Sequence, residues 1–127
     1  MKKLLNKKGF TLMEMLIVVA IIVILVAISI PAFSDSLDSA REAADAANFR
    51  SAKAAAVLAI SLGTPPGVDD YYDIAAGEFK TPSGSGIDAA NYGQCANHKK
   101  NGSAGGYIKF DAATETVVWS NGAACGH

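Results

Sequence analysis

The polar and apolar positions divide the chain into stretches of different character. Residues 10–33 form an almost unbroken apolar run that holds a single charge, Glu14. At about 1.5 Å of rise per residue, a helix over this run can cross a hydrocarbon layer of roughly 30 Å. The four lysines within residues 1–9 stay on the cytoplasmic side by the positive-inside rule. The pattern therefore predicts one membrane-crossing helix, with the later residues across the membrane.

The following stretch, residues 34–62, predicts a continuation of this helix. It is rich in alanine and contains neither Gly nor Pro, and Gly63 with Pro65 and Pro66 ends it. Two neighbouring apolar stripes recur at helical spacing. One holds Leu37, Ala40, Ala44, Ala47, Ala55, Leu58 and Leu62, and the other holds Phe49, Ala52, Ala56 and Ile60. Because so long a helix is not stable alone in water, its second half should pack on the C-terminal residues. We interpret the charges on this half, Asp45 among them, as a solvated face with weak pairs.

The C-terminal residues 63–127 predict a small head. Residues 107–110 and 116–119 are rich in β-branched and aromatic residues and form a hairpin, and a third strand is placed near residues 74–79. A long helix followed by a small antiparallel sheet is α+β in class.

Charge and composition exclude several functions. The formal net charge is −1, and residues 64–127 hold four lysines against seven acids, so a broad basic surface for nucleic acid is not expected. No phosphate-binding loop or nucleophile elbow is present. His98 and His127 lie in Gly-rich or terminal surroundings, and we interpret both as solvent-exposed. We predict that the chain is not an enzyme and uses no cofactor.

The two cysteines, Cys95 and Cys125, leave two interpretations open. In an exported head they suggest a disulfide that closes the C-terminal segment. Alternatively, Cys95 and Cys125 with His98 and His127 offer a Cys₂His₂ set for zinc. We favour the disulfide, because a Cys-x-His spacing is too tight for the usual zinc site.

An acidic cluster lies early in the head. Asp69, Asp70 and Asp73 could offer carboxylate oxygens to calcium, but the spacing does not match an EF-hand loop. We predict a solvated acidic turn here.

Glu14 separates three interpretations of the N-terminal segment. A signal peptide cut after Ser34 and an uncleaved anchor both gain nothing from a carboxylate in an apolar helix, which costs several kcal/mol unless it is paired. A cut between Gly9 and Phe10 would create a cationic α-amino group four residues before Glu14. That amine, in the same chain or in a neighbouring copy, could pair with the carboxylate.

The basic leader, Gly9, the FTLMEMLIVVAII run and Ile30-Pro31-Ala32 together resemble the type IV pilin class, which includes the pseudopilins of type II secretion and competence systems. The resemblance covers about residues 1–36. It implies that a membrane-embedded prepilin peptidase cuts after Gly9 and methylates Phe10, with S-adenosylmethionine as donor. An inner-membrane assembly platform and its ATPase would then extract the subunit from the lipid bilayer into a helical homo-oligomer, in which Glu14 neutralises the amine of an adjacent subunit.

The resemblance also implies an organisation and a location. Residues 1–9 would be the leader, residues 10–62 the helix (10–33 transmembrane and filament core, 34–62 amphipathic) and residues 63–127 the head, with the apolar half of the helix projecting. The protein would span the cytoplasmic membrane once and then reach the cell surface. Pro31 would kink the helix, whereas Val23 stands where many members have Gly. Members commonly close the C-terminal region with a disulfide, and major pseudopilins often carry a calcium site in the head.

The expected function is therefore that of a structural subunit in a type IV pilus-like filament, serving adhesion, twitching motility or DNA uptake. A pseudopilin is the alternative that residues 1–36 do not distinguish. A secreted binding domain released after Ser34 belongs to a different class.

Overall fold

The computed structural model describes residues 9, 11–84, 86–99 and 105–123. It contains one long helix, a single turn of 3₁₀ helix at Ala89–Asn91 and four short strands. The elements are α1 (Leu12–Ser61), β1 (Tyr71–Asp73), β2 (Glu78–Lys80), β3 (Ile108–Asp111) and β4 (Thr116–Trp119). The chain divides into a first unit, Met1–Leu37, and a second unit, Asp38–His127.

The first unit contains the apolar part of α1. Every side chain from residue 11 to residue 37 is exposed, including the large apolar ones. By length and composition, α1 can cross a membrane. The helix continues through Pro31, so the kink expected there stays a prediction. Ser29 donates its hydroxyl to the Leu25 carbonyl (2.6 Å), which satisfies the polar group on this apolar surface.

The second unit buries its own core. The later part of α1 packs on the sheet through the stripe that begins at Phe49, whereas Leu58 and Leu62 of the other predicted stripe are exposed. The small side chains on this stripe allow the helix to approach the strands closely. The buried residues of the core are Ala52, Ala56, Tyr72, Ile108, Phe110 and Val117.

The sheet is antiparallel throughout, with the strand order β2-β1-β3-β4. The predicted hairpin is confirmed, with Lys109 opposite Val118 in β3 and β4. The predicted third strand at residues 74–79 is wrong in position, because residues 74–77 form the turn between β1 and β2. Asp73 holds that turn by accepting the Ala75 and Ala76 amides (3.0 Å each).

The end of α1 is a Schellman motif. Gly63 adopts a φ of 77°, its amide donates to Ile60, and the Thr64 amide donates to Ala59. The helix thus ends where Gly63 predicted. With one long helix and a small antiparallel sheet, the α+β class is confirmed.

Candidate functional site

The start of α1 is a reciprocal capping box. The Thr11 amide donates to Glu14 Oε2 (2.8 Å), and the Glu14 amide donates to Thr11 Oγ1 (3.2 Å). A Ser or Thr at the N-cap with Glu three residues later satisfies two of the amides that a helix start leaves without partners. In an apolar environment, an amide without a hydrogen-bond partner is energetically costly. The sequence Thr-Leu-Met-Glu therefore fixes where the helix begins.

This capping box corrects one step of the sequence argument. Glu14 was expected to lack any partner unless the chain is cut at Gly9, but the Thr11 amide already contacts it. The amide satisfies hydrogen bonding without supplying an opposite charge, so the carboxylate still gains from a cation. Gly9 is described and exposed next to this site. Phe10, the predicted site of methylation, lies outside the described residues.

The helix surface beyond the box is apolar on all sides. Ile17, Ile22 and Val23 expose between half and two thirds of their area, and helical spacing places them on different faces. A helix that is apolar all round is buried by its surroundings, either in lipid or among other helices. This surface can therefore serve both as a membrane anchor and as a packing surface for further copies.

A buried polar cluster in the second unit was not predicted. Asp45 and His98, both interpreted from the sequence as exposed, are 1% and 0% exposed. Both interpretations are wrong for the same reason: the chain from residue 93 to 98 folds over this part of α1. Asp45 Oδ1 accepts the Gln94 amide (2.6 Å), and Oδ2 accepts the Cys95 amide (3.0 Å).

His98 lies at the centre of this cluster. Its Nδ1 is 3.0 Å from Asp45 Oδ2, and its Nε2 is 2.8 Å from the carbonyl oxygen of Ala123. Its ring stacks on Trp119, with centroids 3.6 Å apart and planes inclined by 16°. The imidazole therefore connects α1, β4 and the segment after β4.

Two glycines make room for the imidazole. A Cβ on Gly93 would lie 2.3 Å from His98 Cβ, and one on Gly106 would lie 2.8 Å from His98 Cδ2. Neither position can accept a side chain without displacing its neighbours. A groove of about 640 Å³ adjoins the cluster and is lined by Glu42, Phe49 and Trp119 among others.

Among the described residues, one group has ligand atoms placed closely enough to hold a metal ion. Atoms of Asp45, Cys95 and His98 lie within 4.8 Å of one another. The carboxylate already accepts two backbone amides and faces an imidazole nitrogen, so we interpret the group as a hydrogen-bonded network. Cys125 and His127 lie outside the described residues, so the Cys95–Cys125 disulfide stays a prediction.

The acidic residues before and within β1 are engaged in local contacts. Asp70 accepts the Gly67 amide and the Thr81 hydroxyl (2.7 Å each). Asp73 Oδ2 is 2.8 Å from Lys80 Nζ. The hydrogen bond from Lys80 lowers the pKa of Asp73 below its ordinary value, and the amides of Ala76 and Ala75 act in the same direction. These contacts shape the β1–β2 turn.

The N-terminal segment is similar in sequence to known proteins. Residues 4–30 match the family model described as the prokaryotic N-terminal methylation motif. Two fimbrial proteins of Pseudomonas aeruginosa are each 39% identical to the chain over 87 residues, which is 63% of this chain and 55% of theirs. A type IV narrow pilus major component, PilA5 of Thermus thermophilus, is 54% identical over 54 residues, 40% of this chain and 47% of its own. No solved structure matches.

The chain thus spans about half the length of the curated relatives it matches. The family model covers part of the basic leader, Gly9 and the FTLMEMLIVVAII run, which are among the features that carried the resemblance. Together with the fimbrial and pilus relatives, it confirms that resemblance: the chain carries the prokaryotic N-terminal methylation motif and is similar to fimbrial and type IV pilus proteins.

Proposed function

We propose that the chain is a structural subunit of a type IV pilus-like filament, cut after Gly9, methylated at Phe10 and then assembled through its apolar helix. The observation that carries the proposal is the exposed apolar surface of the first unit, which begins at a capping box that holds a carboxylate. Residues 1–9 would be the leader, residues 10–62 the helix and residues 63–127 the head. The peptidase, the assembly platform and its ATPase are partners within this proposal.

The capping box supports a specific role for Glu14. Cleavage after Gly9 leaves the Thr11 amide unchanged, so the box can persist in the mature subunit. The new amine on Phe10 supplies the positive charge that the box lacks. At about 4 Å and an effective dielectric of 20, such a pair gains about 4 kcal/mol. Pairing with the amine of an adjacent copy would stabilise docking in one register over the others.

Helix packing supplies the remaining interaction. In lipid, an apolar surface gains little from the hydrophobic effect, so association depends on packing and on polar contacts. The exposed side chains of the first unit offer the packing surface, and Glu14 offers the polar contact. A filament of many copies would use both repeatedly.

The relatives favour a pilus over a pseudopilin, because all three are named as fimbrial or pilus proteins. A secreted domain released after Ser34 fits less well. Ser34 lies inside α1, so a cut there would divide the helix.

The mature N-terminus tests the processing directly. Intact-mass and peptide mass spectrometry of the protein from the cell envelope should give a chain that begins at Phe10 and carries one methyl group. A chain that begins at Asp35 would support the secreted domain and contradict the filament subunit. An intact leader on the protein from its native cells would contradict both.

A further inference from the structure

We propose that the folded head holds His98 as an imidazolium, and that this charged side chain is a proton-dependent clasp between α1, the turn at residues 94–98 and the segment after β4. This inference uses only the second unit and does not depend on filament assembly.

The imidazole ring of His98 contacts an oxygen atom through each of its two nitrogens. Nε2 is 2.8 Å from the Ala123 carbonyl oxygen, an atom that can only accept, so Nε2 carries a proton. Nδ1 is 3.0 Å from Asp45 Oδ2, and an ionised carboxylate also only accepts. A neutral imidazole has only one N–H. Its unprotonated nitrogen would then direct a lone pair at an acceptor oxygen, which is a repulsive contact. Only the imidazolium donates to both.

The carboxylate of Asp45 accepts hydrogen bonds from the backbone through both of its oxygens. Asp45 Oδ1 accepts the Gln94 amide at 2.6 Å, and Oδ2 accepts the Cys95 amide at 3.0 Å. Two backbone donors together with the imidazole suit an ionised, acceptor-only group. Because both side chains are almost fully buried, water does not replace a contact that is lost.

The surroundings favour a cation at this position. The imidazole lies flat on Trp119, and the indole face attracts positive charge. Besides Asp45, Glu42 lines the adjoining groove, and Cys95 Sγ is 3.3 Å from Nδ1. Arg41, one turn before Asp45 on α1, pairs with Asp38, and Lys99, which follows His98, is exposed. Lys53 is directed to the ring of Phe49, which stacks on Trp119.

Nuclear magnetic resonance of the full chain in detergent micelles tests the protonation state. The chain is labelled with ¹⁵N-histidine, and the His127→Ala variant assigns the two histidines. At about pH 7.5, where an ordinary histidine is mostly neutral, both ring nitrogens of His98 should show a directly bonded proton. A nitrogen of His98 without a proton at this pH would overturn the proposal.

Asp45→Asn is the matched variant. The amide of Asn can donate from Nδ2 to Nδ1 of the ring, which allows a neutral imidazole that still donates to Ala123. Because the same position then no longer accepts the Cys95 amide, we expect the variant to fold with reduced stability and Nδ1 of His98 to lose its proton. A ring that remains doubly protonated in this variant would contradict the role given to Asp45.

Hydrogen exchange tests the clasp itself. The Gln94 and Cys95 amides should open more often as the pH rises from about 6 to about 9, after correction for intrinsic exchange, because the closed state binds a proton that the open state releases. The loss of one hydrogen bond at a buried site should raise the equilibrium constant for local opening roughly 5- to 150-fold. In His98→Gln, which has no titrating ring, the opening should not change with pH. If opening of these amides in the wild-type chain is also independent of pH, the proposal of a proton-dependent clasp is wrong.

Discussion

The two units of this chain use apolar side chains in opposite ways. In the first unit every described apolar side chain from residue 11 to residue 37 is exposed, whereas the second unit buries Ile108 and Ala52 completely. The second unit therefore gains its stability from its own core. The described part of the first unit has no such core, and in the proposed function it is stabilised by lipid or by further copies. If so, the second unit determines whether the head is stable, and the first determines whether subunits associate.

The polar groups of the two units follow the same division. Glu14 lies at an exposed helix start and its charge has no cation among the contacts described for it. Asp45, on the same helix, is buried among donors from its own chain. A carboxylate that is satisfied internally stabilises a fold, and one that still needs a cation can select a partner.

The largest effect on the second unit is expected from its core. Ile108→Ala removes a fully buried side chain and should reduce the free energy of unfolding by about 2–5 kcal/mol, through lost transfer energy and a residual cavity. Denaturant unfolding of the full chain in detergent, followed by Trp119 fluorescence, measures it. Val57→Ala, at a position that is 64% exposed, is the control and should change stability by less than about 0.5 kcal/mol. Equal effects of the two substitutions would contradict the core described here.

A smaller effect, dependent on pH, is expected at the β1–β2 turn. Because Lys80 lowers the pKa of Asp73, their pair stabilises the folded head above the ordinary Asp range near pH 4, and this contribution is lost as the pH falls through the lowered value. Lys80→Met should therefore be less stable than the wild type at neutral pH and equal to it in strong acid. Both side chains are partly exposed, so the difference should be small. A difference that does not change with pH would exclude the pair as its source.

The sequence predicted those features that depend on residues close together in the chain. The apolar run, the end of α1 at Gly63 and the hairpin around residues 111–115 each follow from local periodicity or turn chemistry. The capping box was not predicted, although Thr11 and Glu14 have the Thr-x-x-Glu spacing that is typical of one.

The sequence did not predict contacts between distant residues. Asp45 and His98 are 53 positions apart, and nothing in their local patterns shows that they meet. Local spacing assigned Asp45 to a solvated face, and the Gly-rich surroundings suggested an exposed His98. The one available signal was indirect: Gly93 lies within reach of both side chains and leaves no space for a Cβ, as expected where chain segments approach closely.

The most direct test of the account is a comparison of Glu14→Gln with Glu14→Ala in cells that assemble the filament. Gln can keep the capping box but carries no charge, whereas Ala loses both. If the charge of Glu14 selects the docking register by pairing with the amine of Phe10, both variants should be cut after Gly9. Both should also lose filaments by at least about tenfold, since 1.4 kcal/mol of lost pairing is already a factor of ten. Normal filaments from Glu14→Gln, counted by electron microscopy of sheared fractions, would show that the box is sufficient and would contradict the pairing.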